Sequence, residues 1–316
     1  MLFEHGRQAA ADPKVRAGLR FGLTLEEALI DRLPEHQWIA GKLASSGADW
    51  VRLVFRPNPE DPTYAQARSF PLYDGFLREL KGRGIKTTGV VLDASPWPKG
   101  LDAQAYAERA RNLVSHYKGS IRSWEVASKP NATWVGSRKD PLSDETVLSA
   151  VLGAASEAKR ADPEAETVAT LYWWEGTAQD DRRALFPWLK WSLPKGFGKD
   201  VDVVGLSIYP DENPMGLAFD TVFLKLRALF PDKKLMLADY GFAEQEELTG
   251  YWWLEPGSVA EARKDIVVLF SGAACALPQG VGGGFFYPTL QQLLAPGRKP
   301  TLLFGVYRST LGRLKP

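Results

Sequence analysis

The chain has 316 residues, and its 39 Lys and Arg against 38 Asp and Glu leave a formal net charge of +1. This balance gives no electrostatic basis for binding nucleic acid or an anionic membrane surface. With 45% hydrophobic and 24% charged residues, the composition is typical of a folded globular protein and excludes a disordered chain.

Short apolar runs alternate with helical patterns along most of the chain. The predicted strands are 19–23, 50–55, 86–93, 121–127, 167–173, 202–207, 234–239 and 282–287. The predicted helices between them are 36–46, 73–83, 103–117, 143–161, 182–191, 217–229 and 258–271. Ser143 is the predicted N-cap of its helix, since acidic residues follow it in the first turn.

Eight strands alternating with helices predict the α/β class and a (β/α)8 TIM barrel. A doubly wound open sheet is the alternative. It is less favoured because no G-x-G-x-x-G follows a strand, and the GGG at 282–284 lies inside a strand-like run. We expect residues 1–16 to be an N-terminal leader or arm and residues 17–316 to form one barrel domain.

The predicted strand ends carry polar and aromatic side chains, and in a barrel the site lies at these carboxyl ends. Flat aromatic faces beside hydrogen-bonding groups suit sugar rings, although any single Trp is also explained by packing under a loop. Trp252 and Trp253, in the seventh loop, are further candidates. The expected substrate-binding residues at the strand ends are Arg52, Trp97, Ser128, Asn131, Trp173, Trp174, Ser207, Tyr209 and Tyr287.

No His or Cys falls at a predicted strand end, and Cys275 is the single cysteine. A Ser-His-Asp triad, a thiol nucleophile and a histidine metal site are therefore not expected, and the sequence predicts no metal and no cofactor.

Six stretches of the chain resemble the strand motifs of the clan A retaining glycoside hydrolases. IRSWEVASKPN (121–131) resembles their fourth-strand motif W-E-V-W-N-E-P-N, and KKLMLADYGF (233–242) resembles the seventh, I-x-I-T-E-Y-G-W. The second, third, sixth and eighth strands are matched by WVRLVFRP (50–57), GIKTTGVVLDASPWP (84–98), VDVVGLSIYP (201–210) and GGGFFYPTL (282–290). The resemblance is greatest to the β-xylosidase and iduronidase-like branch.

The resemblance implies two catalytic positions, and both are substituted. The acid/base Glu of the motif is Lys129 here, the preceding Asn is Ser128, and the nucleophile Glu is Asp239. The histidine often found after the sixth strand is Ser207. Glu125 matches a motif Glu that pairs with the second-strand Arg, so we expect a structural Arg52–Glu125 pair.

These substitutions predict a barrel that has lost the family's hydrolysis. Lys129 and Asp239 are expected to form an ion pair, which keeps the amine charged and makes it a poor proton donor. General acid–base help is worth roughly 10²–10⁴-fold, and a misplacement of about 1 Å in the nucleophile costs about 10² more.

Three functions stay open. The first is a glycosidase-like pseudoenzyme that binds an oligosaccharide or polysaccharide. The second is an active hydrolase or transglycosylase that uses Asp239 with a displaced acid, such as Glu175 or Glu244. The third is a protein-interaction scaffold with a vestigial cleft.

Location and assembly are left open by the sequence. No run of eighteen apolar residues predicts a membrane span, and the first residues lack the apolar core of a signal peptide. The protein is either cytoplasmic or, if a leader was removed, exported or periplasmic. The oligomeric state is not predicted.

Overall fold

The computed structural model describes residues 2–25, 35–57, 70–95, 97–98, 100–137, 139–174, 181–210, 212–213, 215, 218–241, 259–277, 285–287, 293–295 and 299–315. Eight parallel strands form its main sheet: β1 Phe21–Leu25, β2 Trp50–Val54, β3 Lys86–Val90, β4 Ser123–Ser128, β5 Glu166–Tyr172, β6 Val203–Ile208, β7 Lys234–Tyr240 and β8 Phe285–Tyr287.

In the part of the chain that the structure describes, ten α-helices flank and connect the strands. They are α1 Leu2–Ala10, α2 Pro13–Gly18, α3 His36–Ser45, α4 Phe70–Gly82, α5 Ala103–His116, α6 Asp144–Ala161, α7 Leu185–Ser192, α8 Phe219–Leu229, α9 Val259–Cys275 and α10 Leu302–Leu314. Single 3₁₀ turns at Asp181–Arg183 and Leu193–Lys195 flank α7, and β9 Leu294–Ala295 pairs antiparallel with β10 Lys299–Pro300.

The sheet curls into a barrel. Strands β1 to β7 pair in chain order, and β8 pairs with β1. The strands β7 and β8 also lie side by side, with Cα atoms within 8 Å, so the two edges of the sheet meet. The predicted (β/α)8 barrel is confirmed.

The barrel interior is filled by side chains near the amino ends of the strands. Val168, Val203, Met236 and Ala238 form a separate buried cluster that packs against Trp50. Trp50 lies on β2, which is not a neighbour of β5, β6 or β7 in the sheet, so its contact with this cluster runs across the interior. The interior is therefore a packed core whose open, polar end lies at the carboxyl ends of the strands.

The outer layer matches most of the predicted helices, with shifts of a few residues at their ends. Ser143 is the N-cap of α6, as predicted, and its hydroxyl accepts a bond from the Thr146 N–H at 3.2 Å. The first strand begins two residues later than predicted, because Leu19 ends α2 in an extended conformation. The helix predicted at 182–191 is divided, with a 3₁₀ turn before α7.

The sequence did not predict the terminal helices α1, α2 and α10. Gly6 and Gly272 let α1 approach α9 closely, since a Cβ on Gly6 would lie 1.8 Å from the Gly272 carbonyl oxygen. The Tyr307 hydroxyl of α10 donates to the Gly22 carbonyl of β1 at 2.9 Å. Both chain ends are thus packed against the barrel. Within the described residues, no helix has the length and apolar character needed to cross a membrane.

Candidate functional site

Strands β2, β4, β6 and β7 bring the key charged and polar side chains to one end of the barrel. The register of β4 against β5 shifts between Glu125 and Ala127, and that of β6 against β7 shifts between Leu206 and Ser207. Such irregularities re-aim the side chains that follow them. Both shifts lie just before residues that the resemblance places in the site.

Lys129 follows β4 in a left-handed conformation, with φ at 49°, and no other described residue except glycine has a positive φ. A left-handed backbone costs a non-glycine residue about 1–3 kcal/mol and persists only where neighbouring contacts enforce it. Here the Lys129 N–H donates to the Thr170 carbonyl of β5 at 2.6 Å. The strained backbone fixes the direction in which the lysine side chain leaves the strand.

Arg52 and Glu125 form a buried ion pair. Arg52 Nε and Nη2 donate to the two Glu125 oxygens at 2.7 and 2.6 Å, and the side chains are 2% and 1% exposed. Burial alone lowers the pKa of Arg52, but the Glu125 carboxylate outweighs it and raises the pKa above its usual range. The predicted Arg52–Glu125 pair is confirmed. It lies buried beneath the site, where Arg52 also donates to the Ser128 hydroxyl.

Lys129 lies between two carboxylates. Its Nζ is 3.4 Å from Asp239 Oδ2, as the sequence predicts, and it donates to Asp93 Oδ1 at 3.3 Å. The exposed fractions of the side chains are 11% for Lys129, 3% for Asp239 and 40% for Asp93. These three residues are called the Asp93–Lys129–Asp239 cluster below.

The charges of this cluster stabilise one another. Burial lowers the pKa of Lys129, but Asp93 and Asp239 outweigh it and raise the pKa. Burial raises the pKa of Asp93, but the Lys129 and Arg52 charges and the Ser128 hydroxyl outweigh it and hold the pKa well below its usual range. At neutral pH Lys129 is an ammonium and Asp93 a carboxylate.

Asp239 accepts from two side chains of the sixth strand region. The Tyr209 hydroxyl donates to its Oδ2 at 3.2 Å, and the Ser207 hydroxyl does so at 3.4 Å. Burial and the Asp239 charge raise the pKa of Tyr209, so its hydroxyl stays a donor. The second oxygen, Asp239 Oδ1, is buried without a hydrogen-bond partner among the described residues.

Ser128 and Asn131 take supporting positions beside the cluster. The Ser128 hydroxyl donates to Asp93 at 2.7 Å and accepts from Arg52 at 3.4 Å. Asn131 is fully buried, and its amide NH₂ donates to the carbonyls of Tyr172 and Arg183 while its oxygen accepts the Tyr172 N–H. Asn131 was expected to bind substrate. Its side chain instead bonds to backbone groups and holds the fourth loop against the end of β5.

The aromatic candidates differ in exposure. Trp173 is buried. Trp97 and Trp174 are half-buried, and Trp97 stacks on Tyr106 with ring centroids 4.9 Å apart while its Nε1 donates to the Asp93 carbonyl. Trp97 therefore lies directly beside the cluster, whereas Trp173 belongs to the core.

Part of the predicted site lies outside the described residues. Tyr287 ends β8, but its side chain is outside the described residues. The substitute acids Glu175 and Glu244 and the seventh-loop Trp252 and Trp253 also lie outside them.

Sequence reasoning missed the role of Asp93 as the second partner of Lys129. The available signal was its position three residues beyond β3, at the same end of the barrel as Lys129 and Asp239. The sequence did not indicate that the Lys129 amine contacts Asp93, after the third strand, as well as Asp239 on the seventh. In the described parts of the chain, no group of three or more His, Cys, Asp or Glu side chains is arranged to hold a metal ion.

Several solved structures with a similar fold are glycoside hydrolases. The GH10 protein of Paenibacillus barcinonensis matches with a TM-score of 0.65 at 15% identity, over 95% of this chain and 97% of that one. The GH53 catalytic domain of Ignisphaera aggregans matches with a TM-score of 0.60 at 16% identity, over 92% and 96%. The family 1 β-glucosidase of Thermotoga maritima matches with a TM-score of 0.58 at 12% identity, over 86% and 88%.

The chain shares the (β/α)8 barrel fold of these three solved structures. No protein-family model and no curated protein matches its sequence. Because the structural matches are at 12–16% identity, they support the fold, and the chemistry has to be argued from the site itself.

Proposed function

We propose that the protein binds a carbohydrate at the carboxyl end of its barrel and does not perform the retaining hydrolysis of the enzymes it resembles. The observation that carries this proposal is the position of the Lys129 ammonium, 3.4 Å from Asp239 and 3.3 Å from Asp93. The glycosidase-like fold supports a carbohydrate ligand, and the charges of the cluster argue against the chemistry.

The residue in the acid/base position is unsuited to proton transfer. Retaining hydrolysis needs a carboxylic acid that protonates the leaving oxygen and later acts as a base. Lys129 stands in that position, and its raised pKa keeps the proton on the amine at neutral pH. An ammonium held by two carboxylates donates a hydrogen bond to a sugar oxygen without releasing the proton.

The nucleophile position is also altered. The Asp239 carboxylate reaches one methylene less far than a glutamate, and its Oδ2 is engaged by Lys129, Ser207 and Tyr209. Misplacing a reacting atom by about 1 Å costs about 10² in rate.

Asp93 is not a substitute acid. Its carboxylate and that of Asp239 flank the same amine, so they lie within about 7 Å of each other, near the separations used by glycosidases. A general acid, however, must carry a proton at the working pH. The lowered pKa of Asp93 leaves it ionised there.

A second candidate is a hydrolase or transglycosylase with a displaced acid, because Asp239 is still a carboxylate and its Oδ1 has no donor among the described residues. A free carboxylate oxygen is what a nucleophile or base requires. Glu175 and Glu244 are the candidates for the acid.

Binding is tested by calorimetry with xylo- and cello-oligosaccharides and a set of bacterial oligosaccharides. We expect saturable binding that weakens in Trp174→Ala, since Trp174 is half-buried and follows β5. Trp191→Ala is the matched control, because this half-buried Trp lies on the outer helix α7. Absence of binding, or equal loss in both variants, would count against the proposal.

Turnover is tested with aryl β-glycosides and natural disaccharides. A good leaving group barely needs an acid, so aryl glycosides test Asp239 alone. We expect poor or absent hydrolysis of both. Efficient hydrolysis of both would mean that a substitute acid exists, and the second candidate would then replace the first.

A further inference from the structure

The resemblance to the glycoside hydrolases assigns no role to Asp93, which lies in the third-strand stretch 84–98. The Lys129 amine donates a side-chain hydrogen bond to this carboxylate at 3.3 Å. Asp93 also accepts from Ser128, the other residue substituted in the fourth-strand motif, at 2.7 Å. Both fourth-strand substitutions therefore contact the same carboxylate.

We propose that Asp93 is the positioning residue that fixes the Lys129 ammonium over Asp239, so that the amine serves as a permanent hydrogen-bond donor to a sugar oxygen. The claim about the sugar rests on the proposed function, whereas the positioning of Lys129 does not. An ammonium has three N–H donors. Asp93 receives one and Asp239 lies in ion-pair contact with a second face, which leaves a third for a ligand.

Geometry explains why two carboxylates are needed. Asp239 is almost fully buried at the end of β7, and Asp93 is 40% exposed at the end of β3. The buried Asp239 therefore contacts the amine from inside the barrel, and the more exposed Asp93 contacts it from the solvent side. With Asp239 alone, the four-carbon stem of Lys129 would leave the amine free to change rotamer.

Asp93 also anchors itself. Its Oδ1 accepts the Ala94 N–H at 2.9 Å in addition to the bonds from Ser128 and Lys129. Three donors converge on one oxygen, so the carboxylate is fixed before any ligand arrives. A preorganised donor of this kind costs less on binding than a mobile lysine does.

The experiment follows the titration of Lys129 by NMR of protein labelled with ¹³C at lysine Cε, with the signal assigned from its absence in Lys129→Gln. The charged groups that act on this amine are Asp93, Asp239, Arg52 and Glu125. In Asp93→Asn we expect the titration midpoint of Lys129 to fall relative to wild type, because one anionic partner is lost while the asparagine oxygen still accepts from Ser128.

The matched control is Asp74→Asn. Asp74 is 38% exposed and pairs with His116 at 3.1 Å in the outer helical layer. This change should leave the Lys129 midpoint where it is. A Lys129 midpoint that is unchanged in Asp93→Asn would overturn the positioning role.

A second measurement separates this inference from the proposed function. Cellotetraose and xylotetraose are titrated into wild type, Asp93→Asn and Asp74→Asn, and we expect about a tenfold or greater loss of affinity in Asp93→Asn only. A moved midpoint with unchanged affinity would refute the sugar contact. If neither sugar binds wild type, the sugar contact and carbohydrate binding both fail for these probes, and the midpoint alone decides the positioning role.

Discussion

Replacing Lys129 by Met removes the cation and keeps a side chain of similar length. Asp239 is 3% exposed, and Lys129 is the cation within ion-pair distance of it among the described residues. Removing one partner of a buried ion pair typically costs about 3–5 kcal/mol, because the remaining charge is left without compensation. We expect Lys129→Met to lower the free energy of unfolding by about that amount at pH 7.

The sign of the pH dependence follows from the two pKa shifts. The raised pKa of Lys129 contributes stability that is complete below its unfolded value and is lost as the pH rises through the folded one. The lowered pKa of Asp93 contributes stability that is present above its unfolded value, about 3.9, and is lost as the pH falls. The difference between wild type and Lys129→Met is thus fully present at neutral pH and shrinks below about pH 4 and in strong alkali.

Urea unfolding followed by Trp fluorescence, at pH 7 and at pH 3.5, measures this difference. Lys264→Met is the control, since Lys264 pairs with Glu261 across one turn of the exposed face of α9 and should contribute at most about 0.5 kcal/mol. A loss in Lys129→Met no larger than that of the control would refute the idea of a tightly coupled cluster.

Three further outcomes are expected. Arg52→Met should cost about 3–5 kcal/mol in urea unfolding, and the double change with Glu125→Leu should cost clearly less than the sum of the single ones; additive losses would contradict the buried pair. Burial raises the pKa of Cys275 to about 12, so its thiol should resist an aromatic disulfide reagent at pH 8 in the native protein and react after urea unfolding; rapid native reaction would disprove its burial. The double change Lys129→Glu with Asp239→Glu should give weak but detectable aryl glycoside hydrolysis, while each single change should give little. Strong wild-type activity that is lost in Lys129→Glu would instead show that Lys129 takes part in the reaction.

The sequence was sufficient for the barrel because each strand–helix unit carries its own periodicity. The same argument located the cluster approximately, since the carboxyl ends of parallel strands meet at one end of a barrel. Lys129, Asp239, Arg52 and Glu125 therefore come together as expected.

Two features could not be read from sequence patterns, since they depend on side-chain direction. The left-handed backbone of Lys129 turns its amine towards Asp93, and no spacing rule predicts that turn. The Asn131 amide bonds to the backbone beyond β5, which only the packed loops determine. The terminal helices lie outside the alternation of strands and helices between β1 and β8, so that alternation did not predict them.

The most direct test of carbohydrate binding without cleavage is a calorimetric titration of an oligosaccharide into the wild-type protein at pH 7, followed by chromatography of the sugar recovered from the cell. The account predicts a saturable heat of binding and a recovered sugar of unchanged chain length. A shortened sugar would contradict it. Cleavage requires a residue that protonates the leaving oxygen, and in this account Lys129 keeps its proton.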